Sequence, residues 1–235
     1  MKTKNSILLA VICLFSLQVS AQKKSKKDEV VTITTSMGTM KLILFDETPK
    51  HKANFIKLVN DKFYDDLLFH RVIDDFMIQG GDPNSKNAKP DDFLGKGDNG
   101  YKIPAEFNPK LFHQKGALAA ARDNNPAKES SGCQFYIVQG RKWGKLDLEK
   151  QAARAARKLT DDQKKVYETI GGTPHLDGAY TVFGQVIDGM EVIDKIGAVE
   201  KDERDRPEKD VSMKMSVKKM KKKKITKKYG WKYEA

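Results

Sequence analysis

Metal sites and disulfide frameworks need cysteines or histidines at close spacing, and this sequence has few of either. Its 235 residues include two cysteines and four histidines, and no pair of them has the Cys-x-x-Cys or His-x-x-x-His spacing of a zinc site. It also lacks a glycine-rich phosphate loop and a Gly-x-Ser-x-Gly nucleophile elbow. The sequence therefore offers no recognisable site for metal, nucleotide or serine-hydrolase chemistry, and we expect neither a cofactor nor a bound metal.

Long apolar runs are missing outside the N-terminus, which excludes a polytopic membrane protein. At the N-terminus, Lys2 and Lys4 precede an apolar stretch at 7–17, and the small residues of 19–21 follow it. This order of charged, apolar and small residues is typical of a secretory signal peptide. We therefore expect residues 1–21 to be a cleavable signal peptide of an exported, periplasmic protein. A membrane-anchored form with an uncleaved N-terminus is the alternative.

The basic charge of the chain is concentrated at its C-terminal end. The formal net charge is +12, and residues 211–235 contribute +9 of it through ten lysines and one glutamate. Two further lysines lie in 1–21, which leaves residues 22–210 with a net charge of about +1. We expect no nucleic-acid partner for this near-neutral body. The lysine-rich tail at 218–235 is interpreted as a solvated extension, with contact to anionic surfaces as the alternative.

The apolar patterns predict a mainly β domain at 30–217, after a polar spacer at 22–29. Runs of β-branched and apolar residues predict strands at 30–35, 40–45, 67–79, 116–121, 134–138, 180–187 and 211–217. Thr48-Pro49 is typical of a helix start, and a short helix is expected at 191–196. Short strands with a few helices predict a barrel or sandwich with helices at its ends.

Residues 145–170 differ in composition from the rest of the domain and favour helix. They are rich in Ala, Lys, Glu, Gln and Leu, and Thr160 to Gln163 has the pattern of a capping box. We predict a helical insertion at 145–170. It is interpreted as a surface excursion, with client or partner binding as the alternative, and its expected packing residues are Leu146, Leu148, Leu159, Val166 and Ile170.

One segment, FHRVIDDFMIQGGD at 69–82, carries the most specific pattern in the chain. It closely resembles the signature of the cyclophilins, which are peptidyl-prolyl cis-trans isomerases that bind cyclosporin. Further blocks that resemble this family, in the same order along the chain, lie at 35–39, 49–58, 116–122, 131–137 and 176–184. The resemblance thus covers residues 30–217 but leaves out the helical insertion and the tail.

The resemblance implies a closed eight-stranded antiparallel barrel capped by two helices, with the active site on the outer surface. By motif position, Arg71 is the catalytic arginine, and Ala121 lies beneath the bound peptide. The main chain of Arg122 is expected to hold the peptide backbone together with Gln79 and Gln134. The resemblance assigns the proline ring to an apolar pocket formed by Phe76, Met77, Tyr136, Leu176 and Tyr180.

These residue types suit the isomerisation of an Xaa-Pro bond, in which no covalent bond breaks. Amide resonance sets a barrier of about 18–20 kcal/mol and makes the uncatalysed reaction slow. A guanidinium such as that of Arg71 is always charged and can donate to the prolyl nitrogen only when resonance is lost. One such hydrogen bond contributes about 1.5–3 kcal/mol, whereas enzymes lower barriers by at least about 8 kcal/mol. The apolar pocket and backbone contacts are therefore expected to contribute the rest.

Several positions depart from the common cyclophilin pattern. His175 replaces a tryptophan that contacts cyclosporin in many members, so we expect weak cyclosporin binding. Tyr180 replaces a pocket histidine, and Arg122 replaces an asparagine that acts through its main chain, so activity is expected to survive. Asp123 and Cys133 are expected near the residues that precede proline, with Cys133 either a buried small residue or an accessible thiol.

The sequence as a whole is that expected of an exported cyclophilin-type isomerase of a Gram-negative bacterium that assists the folding of secreted proteins. Its expected partners are proline-containing polypeptides, and it is expected to be a monomer. Two alternatives stay open. The first is a cyclophilin-like binding module or holdase with little isomerase activity, and the second is an anionic-surface binding protein that acts through its tail.

Overall fold

In the computed structural model, residues 25–155 and 157–233 are described, so the predicted signal peptide at 1–21 lies outside the described residues. The strands in this part of the chain are β1 (Lys27–Thr35), β2 (Gly38–Leu44), β3 (Phe69–Ile73), β4 (Met77–Gly80), β5 (Lys102–Ile103), β6 (Ala117–Ala120), β7 (Ser130–Ser131), β8 (Phe135–Val138), β9 (Val182–Asp188) and β10 (Met213–Lys221). The helices are α1 (Pro49–Asn60), α2 (Lys145–Arg154), α3 (Asp161–Thr169), α4 (Met190–Gly197) and α5 (Lys222–Tyr229). No helix of these ranges has both the length and the apolar character needed to cross a bilayer.

Eight strands form one antiparallel sheet in the order β10-β1-β2-β9-β6-β8-β4-β3, and β5 pairs with β7 in a small second sheet. The predicted number and antiparallel arrangement of the strands are confirmed. The prediction that the barrel is closed is not, because β3 and β10 are the two edges of the sheet. An isolated bridge between Leu68 and Ser212, just outside both strands, and a backbone hydrogen bond from Asp66 to the carbonyl of Met213 link these edges without forming a ladder. The sheet is therefore a half-barrel.

The β1–β2 hairpin lies where the sequence predicts it, and a glycine is essential to its geometry. Gly38 begins β2 with a φ of +137°. A Cβ at this position would lie only 2.8 Å from Cγ2 of Val192, which belongs to α4. Both the backbone conformation and the close approach of α4 therefore require a residue without a side chain.

The sheet begins earlier and ends later than the predicted domain limits of 30 and 217. β1 and β10 pair along nine residues each, from Lys27 opposite Lys221 to Thr35 opposite Met213. The lysines at the end of β10 have no apolar pattern around them, so their place in the strand could not be predicted from the sequence alone. Pairing with β1 supplies their backbone hydrogen bonds while their side chains stay exposed.

The tail beyond β10 is also folded, in contrast to the predicted solvated extension. Ile225 of α5 is fully buried in a small cluster with Val30 and Ile43. Trp231 packs on Phe45, with ring centroids 6.2 Å apart. Burying one isoleucine contributes about 1.5–3 kcal/mol, and the packing of Trp231 adds to the contacts that hold this helix against the sheet.

The main core lies on the inner face of the sheet, where α1 and α4 cover it. α1 begins after Thr48 with Pro49 in its first turn, as predicted, and buries Phe55 and Val59. α4 adds Ile193 and Ile196 to the same cluster. The expectation of two helices at the ends of the barrel corresponds to these two.

The helical insertion at 145–170 contains α2 and α3, as predicted. The Thr160–Gln163 capping box is present, with side-chain and backbone hydrogen bonds in both directions. Leu148, Leu159 and Tyr167 form the buried cluster that anchors the insertion. The expected packing of Leu146 and Ile170 is wrong, because they are 76% and 50% exposed. Leu146 precedes Leu148 by two positions, which places the two side chains on opposite faces of α2.

Candidate active site

The outer face of the sheet carries a second apolar cluster, separate from the core on the inner face. Its buried members come from β4, β6, β8 and β9, and among them are Met77, Ala119, Tyr136 and Val182. The partly buried residues that pack on this cluster include Phe76, Ala121, Leu176 and Tyr180. A cluster of this kind on the outside of a sheet that already has a core is a candidate binding surface.

An irregularity in β3 places Arg71 on this outer face. Phe69 and Val72 both belong to the inner core, although regular alternation would put residues three apart on opposite faces. The β3–β4 register shifts between Phe69 and Arg71, which resolves the conflict. Arg71 then follows the same face as Ile73, which packs on the outer cluster.

Arg71 is the first member of a row of residues that runs across four strands. Arg71 lies opposite Gln79 of β4, Gln79 lies opposite Tyr136 of β8, and Tyr136 lies opposite Ala119 of β6. Directly opposite side chains in a sheet are within contact distance of one another. This cross-strand row (Arg71, Gln79, Tyr136 and Ala119) therefore brings a cation, an amide and an aromatic ring to one surface.

The guanidinium of Arg71 has one acidic neighbour that the sequence did not predict. Its Nε lies 3.6 Å from Oδ2 of Asp205, and the two side chains are 43% and 41% exposed. The backbone carbonyl of Asp205 also accepts from the N–H of Val72, which fixes this loop beside β3. An ion pair as exposed as this one contributes little to stability, so its effect is to orient the guanidinium.

The residues assigned to the proline ring meet beside the cross-strand row. We call Phe76, Met77, Tyr136, Leu176 and Tyr180 the apolar pocket. Met77 and Tyr136 are buried at its base, and the other three are half-buried. The ring of Tyr180 meets that of Tyr136 edge to face at 5.9 Å. All five predicted pocket residues are thus brought together by the fold.

His175 covers one side of the apolar pocket, at the position that departs from the family pattern. Its ring stacks on Phe76, with centroids 5.6 Å apart and planes inclined by 24°. Burial lowers the pKa of His175, and the neighbouring His113 lowers it further. The ring is therefore neutral at pH 7 and adds a flat, uncharged surface beside Phe76.

The residues assigned to the peptide backbone include Gln79 of the row and its neighbour Gln134. Gln79 donates through Nε2 to Oε1 of Gln134 at 3.0 Å, and Gln134 donates to the carbonyls of Gly95 and Gly97. These hydrogen bonds fix the amides of both glutamines. Ala121 is held beside them, because its N–H donates to the carbonyl of Gln134.

Arg122 uses its side chain within the protein and leaves its main chain available. Its Nε donates to the carbonyl of Ala179 at 2.9 Å, and its guanidinium carbon lies 4.7 Å from the centre of the Tyr180 ring. Its N–H and carbonyl make no backbone hydrogen bond to any described residue. This arrangement agrees with the expected main-chain role and shows a new side-chain role, which is to hold Tyr180 at the pocket.

A cavity of about 510 Å³ adjoins the glutamines. Its lining includes Ala121, Gln134 and Tyr101. Lys102 and Asp123 also line it and form an ion pair at 2.7 Å across its mouth. The cavity is large enough for a side chain of a bound peptide, and its mouth carries charges of both signs.

Cys133 lies near this surface but is not exposed to it. The thiol is 3% exposed, and burial raises its pKa to about 11. The interpretation of Cys133 as a buried small residue is therefore confirmed, and that of an accessible thiol is wrong. Tyr64 donates to the carbonyl of Cys133 and fixes the backbone there.

A serine, a histidine and a glutamate form a connected set that sequence reasoning missed. Oγ of Ser130 lies 2.9 Å from Nε2 of His51, and Nδ1 of His51 lies 2.7 Å from Oε2 of Glu106. Ser130 and His51 are each 2% exposed, and the cavity beside His51 has a volume of about 10 Å³. No substrate fits there, so the set ties α1 to β7 and to the loop that carries Glu106, and it is not a hydrolase site. Within the described ranges, no group of three or more acidic, histidine or cysteine side chains is placed to hold a metal ion.

Comparison with known proteins places these features in one family. A family model described as cyclophilin type peptidyl-prolyl cis-trans isomerase/CLD matches residues 30–217. A protein of Streptococcus pyogenes named as a bifunctional phosphatase/peptidyl-prolyl cis-trans isomerase is 39% identical over 186 residues, which are 77% of this chain. The chain spans only 37% of the length of that relative.

Two further relatives match over most of their own length. A protein of Staphylococcus aureus named as a peptidyl-prolyl cis-trans isomerase is 35% identical over 191 residues, covering 80% of this chain and 91% of that protein. The crystal structure of a cyclophilin type peptidyl-prolyl cis-trans isomerase of Cryptosporidium parvum, in the presence of the dipeptide Ala-Pro, is similar with a TM-score of 0.60 and 25% identity. That comparison covers 80% of this chain and 98% of the solved one.

Proposed function

The chain belongs to the cyclophilin-type peptidyl-prolyl cis-trans isomerase family, and from that premise we propose that it accelerates rotation about Xaa-Pro bonds through Arg71 and the apolar pocket. The observation that carries this proposal is the cross-strand row. It puts the guanidinium-bearing Arg71 and the amide of Gln79 on the same face as the ring of Tyr136. A cation beside an apolar pocket is the arrangement that amide rotation needs.

In this mechanism the apolar pocket binds the proline ring and Arg71 acts on the amide. Met77 and Tyr136 form the rigid floor of the pocket, because both are buried in the sheet. Holding the ring fixes one side of the C–N bond, so that thermal rotation of the other side is productive. The ring also excludes water from the amide, which strengthens the interaction with a nearby cation.

Arg71 favours the twisted amide over either planar form. When the C–N bond rotates out of conjugation, the prolyl nitrogen regains a lone pair that a guanidinium N–H can meet as donor. The planar forms offer no such acceptor, so the interaction is made in the transition state only. Asp205 supports this role by orienting the guanidinium. The ion pair is partly exposed, so solvent screens it and the positive charge of the guanidinium still acts on the amide.

The peptide segment that precedes proline extends over Gln79, Gln134 and the main chain of Arg122 in this proposal. The two glutamines are held by hydrogen bonds of their own, so little side-chain entropy is lost when a peptide binds. Side chains of the peptide reach the cavity between Ala121 and Tyr101. The natural substrates are therefore proposed to be proline-containing polypeptides in extended conformation.

The experiment that tests this proposal compares the wild type with Arg71→Ala, using NMR exchange spectroscopy on a proline-containing tetrapeptide. We expect a loss of at least about tenfold in kcat/KM, which corresponds to about 1.4 kcal/mol of barrier. Arg71→Lys should recover little of it, because an ammonium lacks the planar fork of donors. Arg204→Ala is the matched control, since Arg204 has the same 43% exposure and an aspartate partner, and its guanidinium contacts Asp202 and the carbonyls of Pro90 and Asp91 instead of the row or the apolar pocket.

Two results would contradict the proposal. Equal rates for the wild type and Arg71→Ala would favour a binding module or holdase, which needs the apolar pocket but not the cation. An equal loss in Arg71→Ala and Arg204→Ala would show that surface charge alone matters. Either conclusion requires that both variants have the thermal denaturation midpoint of the wild type. We expect this result because both arginine side chains are exposed.

We further propose that the substrates are exported proteins and that the chain acts in the periplasm, as the signal-peptide pattern at 1–21 supports. N-terminal sequencing of the protein recovered from a periplasmic extract should begin at Gln22. Recovery of the full-length chain in the membrane fraction would favour the anchored form. Recovery in the cytoplasm would contradict export.

A second candidate function is binding to anionic surfaces, and the lysines of α5 favour it. Lys223, Lys224, Lys227 and Lys228 are exposed, and none has an acidic partner in the part of the chain that the structure describes. The tail aromatics do not assist, because Trp231 packs on Phe45. Reversing the charge of these four lysines should abolish salt-sensitive sedimentation with anionic vesicles, and sedimentation that persists would refute this assignment.

A further inference from the structure

The hydroxyl of Tyr136 has a partner that links the apolar pocket to the protein behind it. Tyr136 is 4% exposed, and a hydroxyl buried to this degree is costly unless it is hydrogen-bonded. Its oxygen lies 2.9 Å from Nε2 of His113, and the two rings are inclined by only 13°. His113 therefore fixes the outer end of the Tyr136 side chain.

His113 is oriented in turn by a buried carboxylate. Oδ1 of Asp177 lies 2.8 Å from Nδ1 of His113 and accepts from the backbone N–H of the same residue at 2.9 Å. An ionised carboxylate can only accept a hydrogen bond, so Asp177 accepts from the N–H at Nδ1 of His113. This tautomer leaves Nε2 to accept from the Tyr136 hydroxyl. Asp177 also lies between Leu176 and Tyr180 in the chain, so it fixes the loop that carries two further pocket residues.

The second oxygen of Asp177 is held from the helical insertion. The hydroxyl of Tyr167, in α3, donates to Oδ2 of Asp177 at 2.8 Å. Arg157, which follows α2, places Nη1 3.6 Å from the same oxygen. Burial raises the pKa of Tyr167, so the phenol stays protonated and remains a donor. A carboxylate that is 1% exposed depends on these partners, and both come from the insertion.

Other contacts also hold the insertion on the domain. Leu148, Leu159 and Tyr167 form a buried cluster on which Phe112 packs, and Gln163 donates to the carbonyl of Pro109 at 2.9 Å. A purely decorative excursion would be anchored by those contacts alone. The polar partners of Asp177 are additional, and they lead from the insertion to the wall of the apolar pocket.

We propose that the helical insertion positions the wall of the apolar pocket, through hydrogen bonds that run from Tyr167 by way of Asp177 and His113 to Tyr136. The expected effect on the isomerisation rate rests on the proposed function. The hydrogen bonds from Tyr167 to Tyr136 do not depend on it. In this arrangement Tyr167, Asp177 and His113 are positioning residues, and only Tyr136 contacts the bound proline. The consequence is a pocket whose order depends on α3.

The test removes one oxygen atom with Tyr167→Phe, which keeps the ring packed on Phe112. We expect KM to rise about threefold with kcat nearly unchanged, because a loosened pocket wall weakens ground-state and transition-state binding alike. Arg157→Met acts on the same oxygen of Asp177 and should change KM in the same direction. It serves as the second variant if Tyr167→Phe does not fold.

A matched control and a double variant separate positioning from general stability. Gln163→Ala removes hydrogen bonds of α3 to Thr160 and Pro109 that do not lead to Asp177, so KM should stay at the wild-type value. In a Tyr136→Phe background, Tyr167→Phe should have a clearly smaller effect on KM, because the hydroxyl at the end of the series is gone and only the loop of Leu176 and Tyr180 still depends on Asp177. An equal effect of Gln163→Ala, or a full effect in the Tyr136→Phe background, would overturn the proposal.

The ring nitrogens of His113 give a readout that does not need enzyme activity. We expect the ¹⁵N spectrum of the wild type to show the proton on Nδ1, and Tyr167→Phe to shift both ring signals. Identical His113 spectra in the two proteins would overturn the proposal even if activity is present. Absence of isomerase activity in the wild type would refute the proposed function instead, while the spectra would still decide whether the insertion controls His113.

Discussion

His70, which precedes Arg71, is expected to make this fold sensitive to acid. The side chain is 3% exposed, and neither ring nitrogen has a hydrogen-bond partner among the described residues. Burial lowers its pKa to about 4, with Asp82 opposing the shift and Arg71 adding to it. The folded protein therefore keeps His70 neutral at a pH where an exposed histidine is protonated.

The direction of the effect on stability follows from proton binding in the two states. An unfolded histidine binds a proton below pH 6.5, whereas the folded one does not until about pH 4. Between these values the unfolded state holds more protons, so the free energy of unfolding falls as the pH falls. We expect His70 to remove about 2 kcal/mol of stability between pH 7 and pH 5.

Urea unfolding of the wild type and His70→Gln at pH 7, 6 and 5 measures this contribution. The variant is expected to be less stable at pH 7 but to lose about 2 kcal/mol less than the wild type on going to pH 5. His51 and His175 also have pKa values lowered by burial, and their contributions are the same in both proteins. Parallel pH profiles for the two proteins, or an NMR titration of His70 near pH 6.5, would refute the reasoning.

Three further predictions concern the tail, the cavity and the thiol. Ile225→Ala should destabilise the domain by about 2–4 kcal/mol in urea unfolding, since Ile225 is fully buried, whereas the exposed Thr226→Ala should change it little. Asp123→Lys should make the mouth of the cavity cationic. Peptides with glutamate before proline should then gain about threefold in kcat/KM relative to peptides with lysine at that position, and an unchanged ratio would remove Lys102 and Asp123 from substrate selection. Cys133 should react with iodoacetamide about a hundredfold more slowly in the folded than in the urea-unfolded protein at pH 8, as followed by mass spectrometry, and equal rates would contradict its burial and its raised pKa.

Features that depend on neighbouring residues were predictable from the sequence. The helix start at Thr48-Pro49 and the capping box at Thr160 lie where expected, because the groups that form them are within a few positions of each other. The pocket residues were predicted for a different reason, namely the match of short blocks to a family pattern. The strand pairs, the register shift at Arg71 and the half-barrel required the structure.

Contacts between residues that lie far apart in the chain and belong to no sequence motif could not be predicted. Asp205 lies 134 positions from Arg71, and nothing in the loop around it indicates that it reaches β3. His113 could not be singled out in the sequence, since a single histidine has no spacing to interpret. Its role depends on Asp177 and Tyr167, which belong to a loop and to an insertion outside the family pattern.

The pairing of β1 with β10 has a consequence for how this chain acquires its structure during synthesis. Residue 27 finds its partner at residue 221, so the first strand of the sheet is made long before its neighbour. At about 5–20 residues per second, the ribosome takes roughly ten seconds or more to supply it. Through that interval the edge of β1 that faces β10 has no partner, and the sheet can be completed only once residues 213–221 have been made.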